Sequence, residues 1–473
     1  MIGLSSKKNN LSSKVNNLSS KTKLLSSNQY FLHRTPASFL PKTKTRALPS
    51  PIHFRRSIVH LRMIEFEHFT LANGLRVLVH EDKSTPMVVV NTLYDVGARD
   101  ENPEKTGFAH LFEHLMFGGS INIPSYDEPL QLAGGENNAY TSNDLTNYYC
   151  TLPAENIETA LWLESDRMLS LAFSHKSLEV QRKVVCEEFK ESYINKPYGD
   201  VWQKLRQLAF TTHPYQWMTI GKELKHVEDA TLEDVKAFFA KHYNPANAIL
   251  VIAGNVNLAD VKVLVEKWYG DIPSGIKYER HLPQEPPQTT PRSMTVKADV
   301  PLDALYKCWH MGGRLDKSYQ AADLITELLS GGGSSRLFQA LVKEQKLFSN
   351  IECYHIGSHD AGLVVIEGKL VKGTSMEAAD AAINAEVAKL QEGISEKELQ
   401  KVKNKTESML AFEDMSLSNR ASSLAIYELL GDANLINKEL EMYQAVTADE
   451  VLALSKTIFD PNNCSTLYYH SNN

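Results

Sequence analysis

Apolar and polar positions fall into an ordered pattern from about residue 63 onward. Residues 69–79 read as a strand, an Asn73-Gly74 turn and a second strand. Residues 87–94 form another β-rich run. Residues 108–117 are apolar nearly all round, through Leu111, Phe112, Leu115, Met116 and Phe117. That predicts a buried helix stopping at Gly118-Gly119. Residues 139–152 are polar, aromatic and β-prone, 154–172 and 175–194 are helical, and 247–253 is a strand. Residues 270–292 carry Pro273, Pro283, Pro286, Pro287 and Pro291 with few apolar positions, which predicts a linker. No uninterrupted apolar run reaches the about 18 residues of a membrane span.

The pattern repeats across the linker. Thr231, Val235, Pro245 and Asn247 recur 216 residues later as Thr447, Val451, Pro461 and Asn463. Gly97 and Asp100 recur as Gly313 and Asp316. With a two-residue slip, 109–120 lies over 323–334, so His110, Glu113 and His114 face Leu324, Glu327 and Leu328. A repeat of this length predicts duplicated domains. We expect one over residues 63–275, a linker over 276–292 and a second, without metal ligands, over 293–473.

Composition sets off residues 1–62, which hold no Asp or Glu and a Leu-Ser-Ser-Lys repeat. Four leucines spaced by seven among Ser and Asn are too little apolar surface for a core, so this extension should be disordered. It reads either as a basic targeting peptide or as translated upstream sequence with the start at Met63, where the globular pattern begins. The second reading places the protein in the cytoplasm, the first in the mitochondrial matrix. Twelve of the 50 basic residues lie in the extension, leaving 38 against 57 acidic and a net charge of −19 for the rest. That balance argues against nucleic acid and suits basic peptides. The five cysteines are scattered, with no CxxC pair, which points to a reducing compartment.

The chemistry lies in the buried helix. His110 and His114 are four residues apart, hence on one helical face, and two imidazoles there can share a metal ion. Glu113 borders that face, within reach of a water at the metal. The order H-x-x-E-H is the mirror of H-E-x-x-H and marks inverted zinc peptidases. Buried His and Glu side chains need partners, and a metal supplies one. Zinc peptidases use three protein ligands. The segment Val184-Val185-Cys186-Glu187-Glu188-Phe189-Lys190-Glu191 offers a carboxylate, but its pattern does not choose among Glu187, Glu188 and Glu191.

These motifs recur together with Gly97-Ala98-Arg99-Asp100-Glu101, Asn138-Ala139-Tyr140-Thr141, Tyr148-Tyr149, Glu164-Ser165-Asp166-Arg167-Met168, Tyr243-Asn244-Pro245 and the run from Gly331 to Phe338. In this order they resemble the inverted zinc metallopeptidases of the pitrilysin, insulin-degrading enzyme and mitochondrial processing peptidase family, in its short two-domain branch. The resemblance implies an α+β fold of two duplicated domains, each an antiparallel sheet with helices on one side. It implies one Zn2+ per chain held by His110, His114 and Glu188, with Glu113 as general base. It places Asn138 and Ala139 on the strand that holds substrate. The activity implied is endoproteolysis of short or unfolded peptides.

Three departures qualify that reading. Gln181 stands where the family has a supporting Glu. Val342 and Ser349 stand where it has an Arg and a Tyr that contact substrate. The expected assembly is therefore a heterodimer, with a homologous zinc-less subunit supplying the Arg/Tyr pair. Two other readings are the catalytic subunit of a mitochondrial processing peptidase, if residues 1–62 are a transit peptide, and a non-catalytic scaffold subunit.

Overall fold

Two sheets organise the chain in a computed structural model that describes residues 63–472. The basic extension and its expected disorder lie outside the described residues. The first sheet contains β1 (Glu67–Thr70), β2 (Arg76–Glu81), β3 (Met87–Tyr94), β4 (Glu136–Thr141), β5 (Thr146–Pro153) and β6 (Ala248–Gly254). Its order is β1-β2-β6-β3-β5-β4. The second contains β7 (Arg292–Ala298), β8 (Ala304–Met311), β9 (Phe348–Ile356), β10 (Gly362–Leu370) and β11 (Cys464–Ser471), in the order β7-β11-β8-β10-β9. Apart from β1, the two orders correspond strand for strand. Residues 273–289, between the sheets, contain no helix or strand.

The expected strand at 69–79 is the β1–β2 hairpin, turned at Gly74 with φ +89°. The β-prone stretch 139–152 resolves into two antiparallel strands, β4 and β5. Offsets in the sequence become equivalent contacts. Thr231 and Thr447 each cap a helix by accepting an N–H three residues on. Asn247 Nδ2 donates to His242 O at 3.0 Å, and Asn463 Nδ2 to Ile458 O at 2.9 Å. Gly97 N–H and Gly313 N–H donate to Asp100 and Asp316.

The two expected α+β halves are present, each on a mainly antiparallel sheet, with one parallel pair in each sheet and helices on both faces as the departures. β2 pairs parallel with β6, and β7 with β11. The strands of each parallel pair are far apart in sequence, with three other strands of the same sheet and several helices between them. Helices cover both faces, because both faces are apolar: every residue of β6 is buried. One face of the first sheet packs on helices of its own half. The other receives Ala421, Leu424 and Ala425 from the Leu417–Leu429 helix of the second half. Reciprocally, Val201, Leu205 and Ala209 of the Val201–Ala209 helix pack on Tyr306, Cys308, Val365 and Leu467 of the second sheet. Each half thus lends a helix to the other.

Among the described residues no helix is long and apolar enough to cross a membrane. All five cysteines are buried and unpaired.

His242 ends the Leu232–His242 helix with its ring 4.7 Å from those of both Phe238 and Tyr278. Neither ring nitrogen has a hydrogen-bond partner. Burial, then Lys241 and Arg280, lower its pKa from 6.5 to about 3. Below pH 6.5 the unfolded chain binds a proton that the folded chain refuses, so stability falls as the pH drops through this window. His242→Phe is expected to shallow that acid limb by up to about 1.4 kcal/mol per pH unit. Urea unfolding at pH 5 and pH 7 checks it; an unchanged pH slope would refute the assignment.

Candidate metal centre

The histidine helix, Phe108–Leu115, is buried along its whole length. Leu111, Phe112 and Leu115 face the first core, which leaves His110, Glu113 and His114 on the remaining side. The helix ends at Leu115, earlier than the Gly118-Gly119 stop expected from sequence. Its N-cap is Gly107, at φ +90° and with no side chain to satisfy the first amides. A Cβ at Gly107 would stand 2.6 Å from Ile220 O, so glycine is required there. Glu101 replaces the missing cap. Its carboxylate accepts the N–H of Gly107 at 2.9 Å and of Ala109 at 2.8 Å. Burial pushes the Glu101 carboxyl up to about 8, against the opposing pull of these two amides.

His110 and His114 present their rings 4.9 Å apart. Glu188, in the last turn of the His175–Phe189 helix, faces them. Its Oε2 lies 3.7 Å from His110 Nε2 and 3.4 Å from His114 Nε2. One ligand atom from each of the three falls within 4.8 Å of the others. Of the three carboxylates that the sequence pattern left open, Glu187 instead pairs with Lys190 at 2.8 Å on the surface, and Glu191 is exposed.

Burial, then His114, lowers the His110 pKa to about 3, against the opposing charge of Glu188. At Glu188 burial raises the carboxyl, but the bond from His114 and the charges of both histidines outweigh it and hold the group below its ordinary range. Apart from the two facing imidazoles, the buried Glu188 Oε2 has no polar partner. Two imidazoles and a carboxylate converging on one point suit zinc.

Glu113 stands beside this cluster. Thr141 Oγ1, at the end of β4, donates to Glu113 Oε2 at 2.6 Å. Burial, partly offset by this bond, raises the Glu113 carboxyl. β4 is an edge strand, paired to β5 alone. Asn138 and Ala139 lie on it: Ala139 is buried against the first core, and its N–H donates to Asn138 Oδ1 at 2.8 Å. Gln181 is half-buried in the Glu188 helix.

Glu101 and Thr141 belong to the sequence motifs, but the sequence alone assigns them no role. The left-handed Gly107 was the usable signal for the first, since a helix opened by glycine needs its amides satisfied from outside. Thr141 gave no signal, because its contact with Glu113 depends on strand placement.

The counterpart helix in the second half, Tyr319–Ser330, is built differently. Leu324 and Leu328 are buried in the second core. Glu327 binds Lys405 Nζ at 2.7 Å. Val342 is half-buried against that core, and Ser349 is exposed at the start of edge strand β9. Arg336 binds Glu398 and Gly393 O, a structural tie between loop and helix.

The chain belongs to the insulinase family of M16 peptidases. The family model described as Insulinase (Peptidase family M16) matches residues 76–223, and that of the peptidase M16 inactive domain matches 229–406. The chain is 28% identical over 411 residues to the zinc protease PqqE of Helicobacter pylori, covering 85% of this chain and 92% of that protein. It is 25% identical over 353 residues to a probable mitochondrial-processing peptidase subunit beta of Arabidopsis thaliana, covering 72% and 66%. The crystal structure of a protease from Helicobacter pylori superposes with a TM-score of 0.81 at 28% identity, covering 86% of this chain and all of that one.

Proposed function

We propose that this chain is a zinc-dependent endopeptidase, the metal-bearing member of a two-subunit enzyme. The observation that carries the reading is the convergence of His110, His114 and Glu188, from two helices, beside a buried Glu113 held by Thr141. These three residues would hold one zinc ion per chain. Bound zinc lowers the pKa of water and polarises a peptide carbonyl. Glu113 accepts the water proton and delivers it to the leaving amine. Thr141 keeps its carboxylate turned toward the cluster. A substrate peptide adds to the open edge of β4 as an extended strand near Asn138 and Ala139. Main-chain hydrogen bonds there bind many sequences, which fits short or unfolded peptides.

Val342 and Ser349 give this chain no substrate-clamping Arg and Tyr, so a homologous zinc-less subunit supplies them. Elemental analysis is expected to give one zinc per chain, and the purified chain alone to cleave a fluorogenic peptide far more slowly than the native complex. Absence of zinc, as in a scaffold subunit, would sink the peptidase reading; full activity of the lone chain would sink the partner requirement. The Arabidopsis relative and the acid-free extension favour a second reading, the catalytic subunit of a mitochondrial processing peptidase. N-terminal sequencing of the native protein separates the two: a start at Met63 supports the first, while a processed start fits removal of a transit peptide.

A further inference from the structure

The candidate ligands come from helices held in different ways. The histidine helix is capped from within its own half by Glu101. The Glu188 helix instead runs directly into a segment fastened to the other half. After Phe189 the chain makes a π-helical turn, Lys190–Ile194, closed by the long-reach bond from Asn195 N–H to Lys190 O at 2.8 Å. Wide turns of this kind concentrate at functional sites. The chain then turns at Tyr198, whose φ of +61° is disfavoured for a residue with a Cβ.

Such a conformation persists only where its surroundings fix it, and at Tyr198 those surroundings belong to the second half. The Tyr198 hydroxyl donates to Leu302 O at 2.7 Å and accepts from Leu302 N–H at 3.1 Å. Its ring lies 5.0 Å from Lys369 Nζ and 5.4 Å from the ring of Tyr469. Tyr469 in turn donates to Asp200 at 2.9 Å. The helix that follows is held at its far end too. Arg292 donates to Leu208 O and Ala209 O at 3.1 and 2.7 Å, and His310 Nε2 meets Ala209 O at 3.0 Å.

The link back to Glu188 is stiff. At Gly199, beside Tyr198, a Cβ would stand within 3 Å of Ser192 O, Tyr193 O and Lys196 O. The loop is therefore folded tightly onto the π-helical turn, with no room for slack.

We propose that Tyr198 is a positioning residue for the third metal ligand, so that the half without the candidate ligands sets where the Glu188 carboxylate stands relative to His110 and His114. The inference rests on the reading of Glu188 as a ligand.

The test measures Zn2+ affinity of the full chain, by competition with a chromophoric chelator, and the visible absorption of the Co2+ form. Tyr198→Phe removes only the two hydroxyl bonds. It is expected to weaken zinc binding about tenfold, as loss of an outer-shell partner does, and to alter the Co2+ bands. Asn437→Ala is the control. It breaks a different tie between the halves, the bonds of Asn437 with Ile64 N–H and Ile64 O, and should leave both readouts unchanged. Wild-type affinity and spectrum in Tyr198→Phe would overturn the inference, as would equal losses in both variants. Glu188→Gln tests the underlying reading: it should lose far more affinity than Tyr198→Phe, and if it binds zinc like the unaltered chain, Glu188 is not a ligand.

Discussion

Glu113→Gln is expected to retain one zinc per chain and to lower kcat by roughly 10²–10⁴-fold, the range of a lost general base. The amide has the size and shape of the carboxylate, so the hydroxyl of Thr141, 2.6 Å away, keeps an acceptor. The three candidate ligands are untouched, and zinc content should not change. What is lost is the ability to take a proton. The fold should tolerate the exchange, because burial already disfavours the Glu113 charge. KM should move little, since Glu113 lies beside the cluster, whereas peptide binding is assigned to the β4 edge. Steady-state cleavage by the assembled enzyme, with zinc measured on the same preparation, checks both halves of the expectation. Near-normal turnover would remove Glu113 from the mechanism. Loss of zinc together with activity would make it a support for the ligands.

The histidine pair was legible because helical periodicity alone brings positions 110 and 114 together. The duplication was legible for a similar reason. Caps and turns demand particular residues, so Thr231 and Thr447, or Asn247 and Asn463, keep both spacing and contacts. The third candidate ligand was harder. Glu187, Glu188 and Glu191 share one helical stretch, and only the placement of that helix against the histidines separates them; the family resemblance named Glu188, while the local pattern could not. The sheets were misread in one respect, their parallel pairs, because strand direction is decided by partners some 170 residues apart: β2 and β6, then β7 and β11. The exchange of helices between halves left no local trace either. The amphipathic pattern of residues 201–209 says that a face is buried but not against which sheet. Tyr198 is the extreme case, a bulky residue in a left-handed conformation that only its contacts with the second half explain.

The second half supplies the design for the other large effect. Its counterpart helix carries Leu324 and Leu328 where the first carries His110 and His114, and both leucines are fully enclosed. His110→Leu combined with His114→Leu therefore gives the histidine helix the side chains of a helix already stable in an equivalent fold. The double variant should fold, bind no zinc and cleave no peptide. His110 Nδ1 is buried without a partner, so removing that ring relieves a polar group that the fold leaves unsatisfied. The decisive measurement is the zinc dependence of unfolding. At free zinc about 1,000-fold above its Kd, the unaltered chain should gain about 4 kcal/mol from binding. The variant should gain none, at any zinc concentration that leaves the unfolded chain uncomplexed. A zinc-dependent rise in its stability would mean that the ion binds elsewhere. The glutamates sharpen the comparison: Glu113 and Glu327 occupy equivalent positions, yet one is held by Thr141 beside the cluster and the other binds Lys405. If the two leucines alone abolish zinc binding while Glu113 and Glu188 remain, then the histidines, not the carboxylates, separate a metal helix from a structural one in this duplicated fold.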